Sequence, residues 1–596
     1  MSVDDADDPL ALLQLAIGLH QAGAIPAALS VYDRVIALEP GNVAAHNNRA
    51  AGLSALGRFE AAAAGYETVA QLSPAYAGAP LHRGNALFHL GRQAEAIESY
   101  EQALALDPAS ADAHNGMGNA LRDLDRLEEA VAAYDRVLAL KPDYRGAAGI
   151  RQHLKMHRCD WSHFDAAVAQ IEALVARGVA ATTPLPFIAL TDDPALHRRC
   201  AQMHVAGYPS PAVVFDPPRP AGERIRLAYV SRDFQTHPVA QLIAEVFERH
   251  DRSRFELIAF SFGPDTGDPW RRRIEAAFDR FIDIGDRSDA EVAALSRQLG
   301  VDIAIDLAGF TQRPRTPIFA HRAAPMQVNY LGYPGTMGAD FIDYILGDAV
   351  VTPPGTEPFY SEAIVRLPGA YQSNRSYEAP TGPPPDRSSH GLPDGAVVYA
   401  CFNSAYKITP PVFDRWMAIL RQVEDSVLWL LVGHPAAQAN LRREAAARGI
   451  DPARIVFAGN LPLEAHLDRL RLADLFLDTF PYNAHTTASD ALRMGLPLLT
   501  CPGRSFASRV GASLLTAVGL PELIARDFDD YEQLAVALGG DRPRLGKVRE
   551  RLAANLPTCA LFDAAAFTRG LEAAYQAMHQ RVSPPLILDY FGEIPT

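Results

Sequence analysis

Amphipathic runs recur at a fixed interval through the first quarter of the chain. "VYDRVIALEP", "YEQALALDP" and "AYDRVLALKP" each close on a proline, and Pro40, Pro74, Pro108 and Pro142 are spaced by 34 residues. Tyr32, Tyr66, Tyr100 and Tyr134 keep that interval, as do Ala28, Ala62, Ala96 and Ala130. Gly23, Gly57 and Gly91 mark a turn within each unit, with Asp125 in the fourth. Small residues let two helices approach, an aromatic ring fills the groove between them, and proline stops the second helix. The pattern predicts four helical pairs over residues 1–142.

The period is lost in 143–222, where irregular helices such as "HRCDWSHFDAAVAQIEALVARG" end in the proline-rich "PSPAVVFDPPRPAGER". Strands then alternate with helices. "IRLAYVS", "FELIAFSF" and "VDIAIDLAG" are apolar enough to be buried on both faces, with "DAEVAALSRQLG" as a helix among them. A second series after about residue 386 runs from "VVYACFN" through "SVLWLLVG", "RIVFAG" and "DLFLDTF" to "PLLTCPG". Such alternation builds parallel sheets covered by helices. The expected class is α + α/β, a helical solenoid followed by two Rossmann-like halves, 223–385 and 386–575, with a tail over 576–596.

Composition narrows the partners. A net charge of −15 argues against nucleic-acid or anionic-membrane binding through a bulk basic surface. The five cysteines are scattered, without a Cys-x-x-Cys pair, which fits reduced thiols in a cytoplasm better than a zinc site or a disulfide framework. No apolar run approaches about 18 residues, and the acidic start "MSVDDADDPLALLQ" has no basic leader. Three Asp-x-Asp pairs, Asp5/Asp7, Asp123/Asp125 and Asp527/Asp529, lie in acidic or helix-flanking contexts. We read them as solvated acids and expect no metal.

Ligands of open α/β sheets bind beyond the carboxyl ends of the strands. There "DLFLDTF" hands over to "PYNAHTTASD". Thr486 or Thr487 opens the next helix, whose free N–H groups suit a phosphate. Asp490 falls one turn later, placed to accept from a sugar hydroxyl. A threonine cap would explain the threonines, but neither capping nor packing calls for His485. Lys407 follows another strand in "FNSAYKITPPVFDRW", where it is a candidate counter-charge for a departing diphosphate; a solvated lysine is the plain alternative. His237, after the first strand of the other half, is either structural or a candidate acid–base or substrate-binding group.

The N-terminal units resemble tetratricopeptide repeats, whose concave face typically holds a peptide or protein. Asn48 occupies an inward position that is asparagine in related arrays, but His82 and Gly116 follow it. The motifs "DFQTHP", "LGYPGTMGADFIDY", "FNSAYK", "SVLWLL", "LDTFPYNAHTTASDAL" and "PLLTCPGRSFASRVGASLL", over about 220–580, resemble the O-linked N-acetylglucosamine transferase family, including its SPINDLY branch. That resemblance implies a GT-B fold, a nucleotide-sugar co-substrate, no cofactor, and an inverting, metal-independent transfer. It implies that Lys407, Thr486 and Thr487 hold the diphosphate, with His485 beside them, and that Asp490 holds the ribose. His466 and Arg469 match base-binding positions, and His237 a residue near the reaction centre. Tyr333, Pro334, Gly335, Thr336 and Tyr406 would line the sugar or acceptor pocket. Two departures bear on the donor: Ser404 stands where animal enzymes have glutamine, and Leu463 where they have lysine.

The expected function is a cytoplasmic protein O-glycosyltransferase whose repeats recruit an acceptor, flagellin foremost, using a UDP- or CMP-linked sugar. The competing class is a repeat scaffold with an inactive transferase domain, against which the full set His237, Lys407, His485, Thr486, Thr487 and Asp490 argues. A free-sugar or lipid transferase would have no use for the repeats.

Overall fold

The 34-residue markers become helical hairpins. The computed structural model describes residues 8–215, 222–311, 313–580 and 587–589. The pairs are Pro9–Gln21 with Ile25–Leu38, Val43–Ala55 with Phe59–Leu72, Gly78–His89 with Gln93–Leu106, and Ala111–Asp123 with Leu127–Leu140. Ala28, Ala62, Ala96 and Ala130 are wholly buried, and Tyr32, Tyr66, Tyr100 and Tyr134 fill the spaces they leave. At Gly116 a Cβ would come within 2.5 Å of the Tyr100 ring, so packing explains the glycine where related arrays carry asparagine. This first compact unit extends to Lys155, and a second begins at Met156.

Each hairpin turn needs a left-handed residue. Gly23, Gly57 and Gly91 have φ of 77°, 71° and 75°, and Asp125 is held at 58°. A side chain there costs conformational energy that glycine avoids. Asp125 is exposed. We expect Asp125→Gly to stabilise the array by ~1 kcal/mol; a lower denaturation midpoint in the full chain would contradict this.

In the second unit, eight parallel strands form one sheet: β1 (Ile225–Ser231), β2 (Phe255–Ser261), β3 (Arg280–Asp283), β4 (Ile303–Asp306), β5 (Met326–Asn329), β6 (Tyr344–Asp348), β7 (Ala363–Leu367) and β13 (Ile587–Asp589). Their order is β13-β7-β6-β5-β4-β1-β2-β3. The other sheet, ordered β10-β9-β8-β11-β12, contains β8 (Val397–Cys401), β9 (Ser426–Leu430), β10 (Ile455–Phe457), β11 (Leu475–Leu477) and β12 (Leu498–Leu499). Helices on both faces explain why β2, β8 and β9 are buried at every position.

One expected boundary is corrected. The chain's last helix, Ala564–His579, and β13 return to the first sheet instead of completing the second half and trailing off. Glu572 Oε1 accepts the Asp251 N–H at 2.7 Å and meets His250 Nδ1 at 3.0 Å, while β13 pairs with β7. The open edge of β7 takes an added strand because its backbone groups need partners. The rest of the expected tail, 581–586 and 590–596, lies outside the described residues, as do Asp5 and Asp7.

The helices after the array also join the second unit. Asp192, just before the helix Pro194–Val205, accepts the N–H groups of Arg504 (2.6 Å) and Ser505 (3.0 Å) and the Ser508 hydroxyl (2.6 Å). No helix among the described residues is long and apolar enough to cross a membrane.

Candidate functional site

Two neighbouring strands of the second sheet, β8 and β11, deliver the site from their carboxyl ends. After β8 the chain passes through Phe402 and Asn403 into a short turn, Ala405–Lys407, that buries the lysine. Lys407 Nζ donates to the Asn483 carbonyl at 2.9 Å and lies 3.6 Å from the centre of the Tyr482 ring. Burial pulls its pKa from 10.5 to about 7, against the opposing pull of Asp478. An ammonium held among an aromatic face and one carbonyl gains strongly from an anion placed beside it.

After β11, Asp478 organises the loop. Its Oδ1 accepts the N–H groups of Thr479 (2.8 Å) and Ala484 (2.6 Å), and its Oδ2 accepts the Thr500 hydroxyl (2.7 Å). The helix Thr486–Arg493 then begins without a side-chain cap at His485. Ala488 and Ser489 donate their N–H groups back to the His485 carbonyl, at 3.0 and 3.1 Å. The N–H groups of Thr486 and Thr487 have no acceptor among the described residues. Two free donors at a helix end suit an anion. The Thr487 hydroxyl is committed elsewhere, donating to Asn403 Oδ1 at 2.5 Å. Threonine contributes here through its backbone.

His485 stacks edge-on to Tyr482 at 5.1 Å, and its Nε2 is buried without a hydrogen-bond partner among the described residues. Burial and then Lys407 drive its pKa well below the ordinary value, so the ring is neutral. Asp490, one turn into the helix, has its pKa raised to about 6 by burial, with Arg493 and Arg375 opposing. Arg493 is spent on the carbonyls of Ser376 (2.8 Å) and Arg375 (2.5 Å).

His466 and Arg469 stand beside Phe402. Only His466 is partly open; Arg469 is 1% exposed. Its Nη1 donates to the Gly459 carbonyl (2.5 Å), its Nη2 meets His466 Nδ1 (2.6 Å), and its guanidinium lies 5.0 Å from the Phe402 ring. The expectation of a base-binding arginine is therefore corrected: Arg469 orients His466. Burial, followed by Arg469, lowers the His466 pKa to about 4 and keeps a neutral ring available for stacking.

A second correction concerns Tyr333, Pro334, Gly335 and Thr336. All four are buried. Tyr333 packs on Phe310 at 5.1 Å within an apolar cluster that also holds Tyr482 and, partly buried, Tyr406. Gly335 offers its carbonyl to Asn329 Nδ2 (3.0 Å), and Thr336 gives its hydroxyl to Glu362 (2.6 Å). These residues back the site instead of lining it. Tyr406 is the more open member, 6.2 Å from the Tyr482 ring.

Among the described residues His237 makes its hydrogen bonds within its own loop and helix, not with the Lys407 cluster. It caps the helix Pro238–Arg249, its Nδ1 accepting the Val239 N–H at 3.3 Å with Asp233 3.6 Å away. Burial lowers its pKa. A neutral ring that accepts at Nδ1 carries its proton on Nε2, so His237 presents a donor.

Asn403, Asp478, Tyr482 and Asn483 were missed by sequence reasoning. For Asn403 and Asp478 a signal was present: a polar residue one or two positions after a fully buried strand, in "CFN" and "FLD", marks a strand end where side chains converge. Among the described residues no set of three His, Cys, Asp or Glu side chains is gathered to hold a metal. Asp527 caps its helix through the Asp530 N–H (2.8 Å), and Asp529 pairs with Arg415 (2.8 Å).

Helical repeats followed by two Rossmann-like parallel sheets, with a buried lysine and free helix-end N–H groups at the strand ends of the second, define a class of repeat proteins that carry a two-sheet α/β unit. The family model for glycosyl transferase family 41 matches residues 200–374 and 384–571, and tetratricopeptide repeat models match 84–124 and 111–144. The chain belongs to glycosyl transferase family 41. It is 35% identical over 444 residues to a probable UDP-N-acetylglucosamine–peptide N-acetylglucosaminyltransferase, SEC, of Arabidopsis thaliana, covering 70% of this chain and 45% of that one. It is 29% identical over 481 residues to the UDP-N-acetylglucosamine–peptide N-acetylglucosaminyltransferase of Caenorhabditis elegans, covering 62% and 42%. The chain thus spans less than half the length of these relatives. A mutant of the Thermobaculum terrenum O-GlcNAc transferase superposes with a TM-score of 0.60 at 29% identity, covering 97% of this chain and 99% of that one.

Proposed function

We propose that the chain is an inverting, metal-independent protein O-glycosyltransferase. It moves a sugar from a nucleotide donor to a serine or threonine of a protein recruited by the repeats. The observation that carries this is that Lys407 Nζ is held at the carbonyl of Asn483, three residues before the helix end where the N–H groups of Thr486 and Thr487 are unpaired among the described residues. In the transfer an acceptor hydroxyl bonds to the anomeric carbon, giving its proton to solvent or to the departing phosphate, as the bond to that phosphate breaks. Charge then grows on the phosphate oxygens, where a fixed ammonium and helix-end donors lower the barrier. His466 stacks on the base and Asp490 accepts from the ribose.

For the donor we favour a UDP-linked hexosamine, supported by the names of the relatives. The alternative is a CMP-linked nonulosonic acid. Leu463 brings no charge and Ser404 only a short reach, so stacking on His466 leaves the pyrimidine loosely specified. For the acceptor we propose flagellin, modified in the cytoplasm. Calorimetric titration with UDP and CMP separates the donors: UDP is expected to bind, and binding of CMP with no binding of UDP would reverse the choice. Mass spectrometry of flagellin incubated with the chain and donor tests the transfer; an unmodified acceptor would remove flagellin from the proposal.

A further inference from the structure

The buried carboxylate of Asp478 has no role in the transfer described above, yet it sits directly after β11, 3% exposed. Its hydrogen bonds come from neutral donors: the Thr479 and Ala484 N–H groups, the Thr500 hydroxyl and, at 3.4 Å, Asn403 Nδ2. An anion sealed from water with only neutral partners is costly unless a cation stands near. The loop it anchors, residues 478–484, carries both groups that touch Lys407: the Tyr482 ring and the Asn483 carbonyl.

The other groups around Lys407 supply no charge of the right sign. On β8 there is the buried thiol of Cys401, whose pKa is raised by burial. His485, from the helix end, is neutral, and Tyr482 and Tyr406 are phenols held protonated by burial. Cys159, from the segment before the first sheet, points its Sγ at the Ala405 carbonyl, 3.9 Å away. Among the described residues Asp478 is the carboxylate whose charge acts on the lysine, and Lys407 the cation that acts on Asp478.

We propose that Asp478 is a positioning residue for the proposed transfer, keeping Lys407 in its ammonium form while its hydrogen bonds hold the loop that seats the ammonium. The inference rests on the reading of Lys407 as the phosphate counter-charge, but its test does not. Because burial raises Asp478 to about 6 and lowers Lys407 to about 7, both are charged only in a narrow range around these values. Bound phosphate would widen that range by stabilising the ammonium further.

The chain holds four lysines, Lys141, Lys155, Lys407 and Lys547, so lysine labelled with carbon-13 at Cε gives a spectrum simple enough to titrate in the full chain. Loss of one signal in Lys407→Met identifies it. In the wild type the Lys407 signal is expected to titrate near 7 with a further inflection near 6 from Asp478. Asp478→Asn, which keeps the shape and removes the charge, should lower the Lys407 midpoint by about 1–2 pH units. Thr500→Val, which removes a hydrogen bond and keeps the charge, should leave it in place. An unmoved midpoint in Asp478→Asn, or an equal fall in Thr500→Val, overturns the proposal. If Asp478→Asn does not fold, the wild-type curve decides: a single inflection at Lys407 overturns it, and two support it. A coupled pair found alongside unimpaired transfer by Lys407→Met would leave this inference standing and remove the transferase role of Lys407.

Discussion

Lys407→Met is expected to lower single-turnover transfer at saturating donor by a hundredfold or more. The ammonium is desolvated in the fold, so its charge is available to the leaving phosphate. Loss of one charge-assisted contact to a developing anion is worth roughly 3 kcal/mol of barrier, about two orders of magnitude in rate. The effect on stability has two opposing parts. A lysine whose pKa falls from 10.5 to about 7 on folding opposes folding fully below pH 7, and the penalty fades as pH rises towards 10.5. Methionine removes that penalty but leaves the buried Asp478 carboxylate without its cation. The same titration predicts that the free enzyme's kcat/KM for donor falls as pH rises through about 7. Unchanged single-turnover transfer in Lys407→Met would remove the lysine from the mechanism. Loss of the folded circular-dichroism spectrum at the assay temperature would mean that the rate loss reports unfolding.

Removing the array should separate acceptor choice from chemistry. A chain beginning at Met156, where the second compact unit starts, retains Lys407, the helix Thr486–Arg493 and the Asp192 contacts. It is expected to bind UDP as the full chain does and to glycosylate the native acceptor protein at least ~10²-fold less efficiently, because the repeats no longer hold the acceptor near the cleft. Equal efficiency on the native acceptor would show that recruitment is not the role of the repeats. Lost UDP binding would show that the second unit depends on the first for its fold.

Legibility in the sequence followed the strength of the local pattern. The repeats were readable because each unit repeats the same packing problem, solved by alanine, tyrosine and proline at fixed places. Strands β1, β2, β8 and β9 were readable as apolar runs of five to seven residues. The short strands β3, β5, β6 and β7 were not singled out. Two of them bury polar side chains, Gln327 in β5 and Arg366 in β7, which a hydropathy pattern reads as exposed. Gln327 reaches the carbonyls of Phe319 and Phe341, and Arg366 those of Thr352 and the carboxylate of Glu357. Each buried polar group is satisfied by a residue distant in sequence, which no window along the chain reveals.

The site divides the same way. Sequence alone determined that Lys407, His485, Thr486, Thr487 and Asp490 stand at strand ends before helices, since strand-to-helix alternation is a local property. Which groups remain available to a ligand was decided only by tertiary structure. The Thr487 hydroxyl is drawn to Asn403, Arg469 folds under His466, and Thr336 is taken by Glu362. Charge at Lys407 depends on Asp478, which lies 71 residues away along the chain and comes near it because β8 and β11 are neighbours. Composition and spacing name the ionisable groups; burial and the partners brought by other strands set their protonation, because desolvation acts over a few ångströms of space and not along the chain.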